Sequence, residues 1–137
     1  MADAQHPGWR KAPAASAAAI AELARITPTE LPAEYLAFLS QSNGGEGELG
    51  AEPGWLVMWK AEEVLDLNRQ YEVATNAPGF FGFGSNGGGE LIAFDTRGAI
   101  PYPVVALPFI PMEAAEARLI APSFGRFERL VGATEAT

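Results

Sequence analysis

A glycine-rich segment in the second half of the chain contains the residues that most resemble a chemical site. Gly82, Gly84 and Gly87 match the G-x-G-x-x-G pattern that holds a pyrophosphate in dinucleotide-binding proteins. The pattern binds an anion only where it follows a strand and opens a helix, because the N–H groups at the helix N-terminus face the phosphate. Here it leads into Glu90–Asp95, whose sequence ELIAFD is typical of a strand. The sequence therefore disfavours a nucleotide-binding loop.

A β-hairpin accounts for the same residues without a ligand. Its strands are predicted at Phe80–Gly84 and Glu90–Asp95. Between them, we expect Asn86-Gly87 to adopt the positive φ angles that a tight hairpin turn requires. A small-molecule or nucleotide binder that uses the glycine-rich turn remains an alternative hypothesis.

Other residue types that catalysis needs are scarce. The single histidine, His6, lies in the polar N-terminal segment, so no histidine base is expected inside the fold to activate a serine. Ser85 follows Gly84, but the surrounding sequence is not G-x-S-x-G and leads to a strand rather than a helix. The chain has no cysteine, which excludes thiol chemistry, disulfides and thiolate metal sites. The sequence therefore excludes hydrolase chemistry of the Ser-His-Asp or Cys-His type.

Carboxylates are the remaining candidates for metal ligands or acid–base groups. Glu46, Glu48 and Glu52 lie in a glycine-rich stretch predicted to be a loop, but they lack the spacing of an EF-hand. Glu90 and Asp95 are an odd number of positions apart, so an ideal strand directs them to opposite faces. Asp95 is instead expected to cap the Asp-Thr-Arg-Gly turn. The sequence predicts no metal site and no cofactor.

Helices and strands alternate irregularly along the chain. The helices are predicted at Ala14–Ile26, from Pro32 to the Asn43-Gly44-Gly45 stop, from Lys60 to about Tyr71, and at Pro122–Val131 with Ser123 near its start. Trp55–Trp59 is predicted to be a strand, in which both tryptophans share a face and lie in the core or at its rim, with a ligand platform as the alternative. Tyr102–Leu107 is predicted to be a third meander strand, with an edge position or irregular pairing because of its flanking prolines.

This order of elements predicts an α+β fold in which an antiparallel β-meander packs with N-terminal, middle and C-terminal helices. Residues 1–13 are predicted to be a loose N-terminal tail that Trp9 could dock, residues 14–132 a single domain, and residues 133–137 a C-terminal tail. The start of the sequence lacks the features of a signal peptide, and no apolar run approaches the length of a membrane span. We therefore expect a cytoplasmic protein with no membrane partner.

The charge is strongly negative and unevenly distributed. The chain has 17 acidic and nine basic residues, a formal net charge of -8, which argues against a nucleic-acid-binding surface. Between Glu30 and Glu72, nine acidic residues face only two basic ones. Such a region is either a solvated surface that keeps the protein soluble or a landing site for a basic protein. Under the second hypothesis, the candidate partner-binding residues are Glu46, Glu48, Glu52, Glu62, Glu63 and Asp66.

Several short motifs occur in an order and at spacings that resemble the SUKH superfamily. This superfamily contains the Smi/Knr regulator of fungal cell-wall synthesis and many bacterial immunity proteins. The resemblance extends from about Leu31 to Val131. The residues that carry it, and that are expected to be structural, are Leu31, Pro32, Tyr35, Asn43, Gly44, Gly84, Asn86, Gly87, Gly89, Asp95 and Phe124.

The resemblance implies an α+β fold without catalytic residues, hence a protein that is not an enzyme, and a role in binding another protein. Bacterial members are similar to immunity proteins that neutralise a cognate toxin, frequently a nuclease. An acidic surface suits such a partner, because nuclease domains are commonly basic where they meet phosphates. The leading hypothesis is therefore a toxin-immunity protein, and the alternative is an intracellular scaffold or regulatory interaction protein.

Overall fold

A seven-stranded antiparallel sheet organises the protein in a computed structural model, which describes residues 8–134. The strands are β1 (Trp9–Lys11), β2 (Gly45–Glu48), β3 (Trp55–Met58), β4 (Phe80–Ser85), β5 (Glu90–Asp95), β6 (Val104–Pro108) and β7 (Arg118–Ala121). The helices are α1 (Ala17–Ile26), α2 (Ala33–Leu39), α3 (Val64–Gln70), α4 (Val73–Asn76) and α5 (Phe124–Glu128), with a 3₁₀ turn at Ala114–Glu116. Each strand pairs with the strand before it in the chain, so the sheet is a continuous meander.

The core lies on the inner face of the sheet, where aromatic rings from β4, β5, α2 and α5 meet. Phe83 and Phe94 stack with their ring centroids 4.5 Å apart. Tyr35 from α2 packs edge-on to Phe94 at 5.3 Å, and Phe127 from α5 packs edge-on to Phe83 at 5.5 Å. Edge-to-face and offset-stacked arrangements are those that aromatic quadrupoles favour. These contacts fix α2 and α5 on one side of the central hairpin.

The outer face is covered at β4 by α3, whose Asn68 completes the hydrogen bonding of the sheet. β3 ends at Met58 and pairs only with the last residues of β4, so Gly82 lies beyond the ladder. The Asn68 side chain accepts a hydrogen bond from the Gly82 N–H and donates one to the Gly82 carbonyl, both at 2.8 Å. Because buried backbone groups need partners, this side chain takes the place of the missing strand.

The predicted α+β fold and the central hairpin are confirmed. β4 and β5 are the predicted pair, with Ser85 opposite Leu91 and Phe80 opposite Asp95. α1 ends at Ile26 as predicted, and the Ser123 side chain caps α5 by accepting a hydrogen bond from the Arg126 N–H. The predicted helices all exist, but each is shorter than its sequence pattern. The third predicted helix is α3, and Glu72, which has a φ of 55°, separates it from the short helix α4, which was not predicted.

Three predictions about segments of the sheet need correction. Residues 9–11 of the predicted N-terminal tail form β1, because their backbone pairs with β2 from Trp9 opposite Gly47 to Lys11 opposite Gly45. The beginning of the predicted acidic loop is β2, with Glu46 and Glu48 in the strand. β6 is not an edge strand, because β7 pairs with its other side, but the predicted alternative of irregular pairing is confirmed by a register shift between Val104 and Val105. Its prolines do not prevent the pairing with β7, since Pro101 and Pro103 precede the strand and Pro108 is its last residue.

Both ends of the chain extend beyond the residues that the structure describes. Residues 1–7, with His6, and residues 135–137 lie outside the described part. The beginning of the predicted C-terminal tail contacts the body of the protein, since the Ala133 N–H donates to the Leu130 carbonyl at 3.1 Å and the Thr134 Oγ1 to the Glu48 Oε1 at 3.2 Å. Within residues 8–134, no helix has both the length and the apolar composition needed to cross a membrane.

Candidate functional site

The predicted acidic residues are organised around the segment that leads into α3, and Asn43 holds that segment in place. The Asn43 Oδ1 accepts a hydrogen bond from the Ala61 N–H at 2.8 Å, and its Nδ2 donates to the Glu62 Oε1 at 2.9 Å. The hydrogen bond from Asn43 is the main reason that the pKa of the Glu62 carboxyl lies below its ordinary value. Glu62 is therefore an exposed and firmly ionised carboxylate at a fixed position.

One side of this segment faces a groove of about 350 Å³ between β1, β2 and the start of α3. Glu46 and Glu63 both line it, although they are far apart in sequence. Arg10, Lys11 and Lys60 line the same groove, so it is mixed in charge rather than uniformly acidic. Glu46 is also fixed from the other side, because its Oε2 accepts a hydrogen bond from the Trp55 Nε1 at 3.3 Å.

The other side of the segment faces a groove of about 390 Å³ between α1 and α3. Glu62 and Asp66 line it together with Glu22, as expected for positions four residues apart on one helical face. Asp66 forms a long ion pair with Arg69, at 3.7 Å between its Oδ1 and the Arg69 Nη1. Both side chains are about 70% exposed, so water screens this pair and it contributes little to stability.

The structure gives Glu48 and Glu52 different neighbours. The Glu48 Oε1 accepts a hydrogen bond from the Thr134 Oγ1 at 3.2 Å, close to the C-terminal segment. Glu52 forms an ion pair with Arg118 of β7 at 3.1 Å, and the same guanidinium binds Glu90 at 2.6 Å. Four of the six predicted residues, Glu46, Glu62, Glu63 and Asp66, thus surround the start of α3, and we call them the β2–α3 acidic surface.

The glycine-rich turn does not have the geometry of a phosphate loop. Glu90 begins a strand, so no helix N-terminus follows the glycines. Gly87 has a φ of 78°, as predicted, but Asn86 does not have a positive φ. Asn86 instead closes the turn with its side chain, because its Oδ1 accepts hydrogen bonds from the N–H groups of Gly88 at 2.9 Å and Glu90 at 3.0 Å.

Trp55 lies beside this turn and is partly exposed, so it is at the rim of the core rather than inside it. Trp59, just beyond the end of β3, is buried and stacks on Tyr71 at the end of α3, with ring centroids 6.0 Å apart. Trp55 remains 37% exposed, and a Cβ added at Gly87 would lie 3.3 Å from its Cδ1. Sequence periodicity could not reveal this difference, because the side chain that covers Trp59 comes from a separate element.

Most of the predicted structural motif residues occupy positions where the fold requires them. Leu31, Pro32, Tyr35 and Phe124 are buried. A Cβ added at Gly44 or Gly84 would lie 2.6 Å from a carbonyl oxygen, that of Met58 or Val57 respectively, so any larger residue displaces the backbone. Asp95 accepts hydrogen bonds from the Arg97 N–H at 3.1 Å and the Arg97 guanidinium at 2.9 Å, as its predicted capping role requires. Nothing in the structure requires a glycine at position 89.

A larger cavity than these two grooves lies elsewhere, between the end of α1, α3, α4 and the start of β4, with a volume of about 570 Å³. Its wall is largely apolar, with Ile26, Leu65 and Phe80 among the lining residues, and Arg69 and Glu72 are its charged members. Only Gly79 of the glycine-rich segment's glycines lines it, so it is not a site at the glycine-rich turn. In the part of the chain that the structure describes, no group of three acidic or histidine side chains is placed to hold a metal ion.

Comparison with known families agrees with this organisation. Residues 14–129 match the model of the SMI1 / KNR4 family (SUKH-1). The chain belongs to this family. The matched range contains every element from α1 to α5 and leaves out only β1, so it includes the whole of the β2–α3 acidic surface. No curated protein matches the sequence.

Membership of the SMI1 / KNR4 family confirms the resemblance drawn from the motifs and gives a general role. Proteins of this family are generally non-enzymatic, and they act as toxin-immunity proteins or regulators through contacts with other proteins.

Two side-chain contacts between distant segments were not predicted from the sequence. Arg118 pairs with Glu52 and Glu90, which lie far away in sequence, and Asn68 supports Gly82. The only sequence signal for Asn68 was its polar character on an otherwise apolar helical face.

Proposed function

We propose that this protein is an immunity protein that binds and neutralises a basic toxin domain, for example a nuclease, through the β2–α3 acidic surface. The observation that carries the proposal is the fixed and ionised Glu62, with Glu63 and Asp66 exposed beside it. A preformed set of carboxylates needs little rearrangement to meet a cationic surface, so it favours fast and specific association. Family membership supports a partner that is a protein.

The position of the surface also supports the proposal. Glu62 and Asp66 line one groove beside α3 and Glu63 lines the other, so the start of α3 is a ridge with carboxylates on both sides. A concave basic site, such as the phosphate-binding cleft of a nuclease, can enclose such a ridge. We propose that the immunity protein and its toxin form their complex in the cytoplasm.

The experiment is a binding titration between the full chain and a purified toxin domain encoded beside its gene. Replacing Glu62 and Glu63 together by Lys should weaken binding at least about tenfold, or ~1.4 kcal/mol, because two attractive charges become repulsive. The matched control is a double variant that adds the same positive charge elsewhere, with Glu30→Lys and Glu113→Lys on exposed loops. This control should retain nearly all of the affinity.

The salt dependence of the same titration tests the electrostatic part. Affinity of the unmodified chain should fall as ionic strength rises, because exposed charges are screened over about 8 Å at physiological salt. An affinity that is indifferent both to salt and to charge reversal at Glu62 and Glu63 would contradict the proposed surface. Failure of any adjacent toxin to bind, together with binding of a housekeeping protein, would favour the scaffold or regulator hypothesis instead.

A further inference from the structure

The two edges of the sheet differ in how they are protected. Edge strands expose unpaired N–H and C=O groups, and proteins usually guard them with charged residues or proline. β1 carries two exposed cations, Arg10 and Lys11. β7 at the other edge has no proline and no lysine, and its Leu119 is 65% exposed. The β7 edge therefore has the weaker protection.

Arg118 is the only charged residue of β7, but its side chain forms ion pairs with other segments and does not protect the outer edge of the strand. Its guanidinium binds Glu90 at 2.6 Å and Glu52 at 3.1 Å, two carboxylates from other parts of the sheet. Among residues 8–134, the backbone of β7 is hydrogen-bonded to β6, and no backbone hydrogen bond joins its outward side to another segment. An extended strand could thus add to this edge without displacing any part of the described chain.

The charges around β7 differ between its two ends. Beside its first residue, Glu52 and Glu90 outnumber Arg118, and the loop that leads into it exposes Glu113 and Glu116. Beyond its last residue, α5 begins after two intervening residues and exposes Arg126 and Arg129, while its Glu128 is only partly exposed. The beginning of β7 is therefore acidic and its end is followed by basic side chains.

We propose that β7 pairs with β7 of a second copy of this chain, in antiparallel orientation about a two-fold axis. Antiparallel pairing places the acidic beginning of each strand near the basic end of the other, so the charge pattern is complementary to itself. When the pairing is centred on Leu119, the two Leu119 side chains lie side by side on one face and bury each other. The result is one continuous sheet through both copies.

This interface is small, because β7 has only four residues. It falls at the weak end of protein interfaces, below about 1,200 Å² of total buried surface, so the dimer should form reversibly with concentration. It does not depend on the proposed toxin partner. It also leaves the β2–α3 acidic surface free, because none of the four residues of that surface lies in or beside β7.

The test is sedimentation equilibrium of the full chain from micromolar concentrations up to about 1 mM, a range that covers weak association. The unmodified chain should shift from monomer to dimer, and Leu119→Lys should weaken the association at least tenfold by placing two lysines side by side. The control is Ile26→Lys, which introduces the same charge at an exposed isoleucine on α1. It should dimerise like the unmodified chain.

Amide hydrogen exchange locates the contact in the same samples. We expect protection of residues 118–121 to rise with protein concentration, and that rise to be absent in Leu119→Lys. A chain that remains monomeric throughout, or a dimer that Leu119→Lys does not weaken, would overturn the proposal. If the chain stayed monomeric while a bound toxin domain protected residues 118–121, the edge would belong to that partner and self-pairing would be wrong.

Discussion

Asn68 provides the sharpest test of how the fold is held together. It is 8% exposed, and three hydrogen bonds of 2.8 Å join its side chain to the backbone: two to Gly82 and one to the Val64 carbonyl. We predict that Asn68→Ala strongly destabilises the protein although alanine is the better helix former. The reason is that Gly82 is buried and loses the partners of both its N–H and its C=O.

The size of the destabilisation by Asn68→Ala follows from the N–H and C=O groups of Gly82. A buried backbone group left without a partner costs about 1–3 kcal/mol, so the loss for the two groups should be about 2–6 kcal/mol in free energy of unfolding. For a domain of this size, this corresponds to a fall in Tm of roughly 10 °C or more. Urea denaturation followed by circular dichroism measures the loss, provided that the denaturant dependence is unchanged between the two proteins.

Asn68→Asp separates hydrogen bonding from packing, because it keeps the shape of the side chain. An ionised aspartate still accepts from the Gly82 N–H but faces the carbonyls of Gly82 and Val64 without a donor. Burial raises the folded-state pKa of such a carboxyl, so the cost is fully present above that pKa and diminishes as the pH falls below it. The variant should therefore be least stable at neutral pH and recover part of its stability under mild acid.

The result that would refute this reasoning is an Asn68→Ala protein within about 0.5 kcal/mol of the unmodified chain, the range typical of surface substitutions. Such a result would mean that Gly82 does not depend on α3. A stable Asn68→Asp protein at neutral pH, beside a strongly destabilised Asn68→Ala protein, would mean that side-chain shape rather than hydrogen bonding is responsible.

Three further predictions concern single side chains. Tyr35→Phe should leave stability unchanged or raise it by about 1 kcal/mol in urea denaturation, because burial raises the pKa of the Tyr35 hydroxyl and no group of residues 8–134 is its hydrogen-bond partner; a loss above about 1 kcal/mol would contradict this. Hydrogen bonds from Arg97 lower the pKa of the Asp95 carboxyl, so its stabilisation is present above the ordinary aspartate pKa and is lost as the pH falls through the folded-state value. Asp95→Asn should accordingly cost about 0.5–1 kcal/mol near pH 7 and nothing in strong acid, as thermal unfolding across pH can measure. Gly87→Ala should cost about 1 kcal/mol because Gly87 has a φ of 78°, whereas Gly89→Ala, with open space at its Cβ, should cost little in the same assay.

The residues of the central hairpin and the helix ends could be predicted because their signals are local. Gly87 and the apolar runs on either side of it are close in sequence, and such contacts form with little loss of chain entropy. The Ser123 cap is also local, since its hydrogen-bond partner is only three residues away. The same holds for Asp95 and the Arg97 N–H in the turn that follows β5.

The strands β1, β2 and β7 could not be predicted, because they have no pattern of their own. β2 has the sequence GEGE and β1 only three residues, so neither could be told from a loop. Each becomes a strand because a neighbour offers hydrogen bonds along its backbone, as β3 does for β2. The exposure of Trp55 could not be predicted for a related reason, since Trp59 is covered by Tyr71 from a separate element and Trp55 remains partly exposed.

The sequence by itself determined the class of the fold, the central hairpin, the family and the acidic character of the region before β4. These properties depend on composition and on residues that are near one another in the chain. Only the tertiary structure decided which carboxylates meet. It placed Glu46 beside Glu63, separated Glu52 from them by pairing it with Arg118, and left β7 as the less protected edge. Those arrangements depend on strand pairing between distant segments, which the local physical preferences of the chain do not specify.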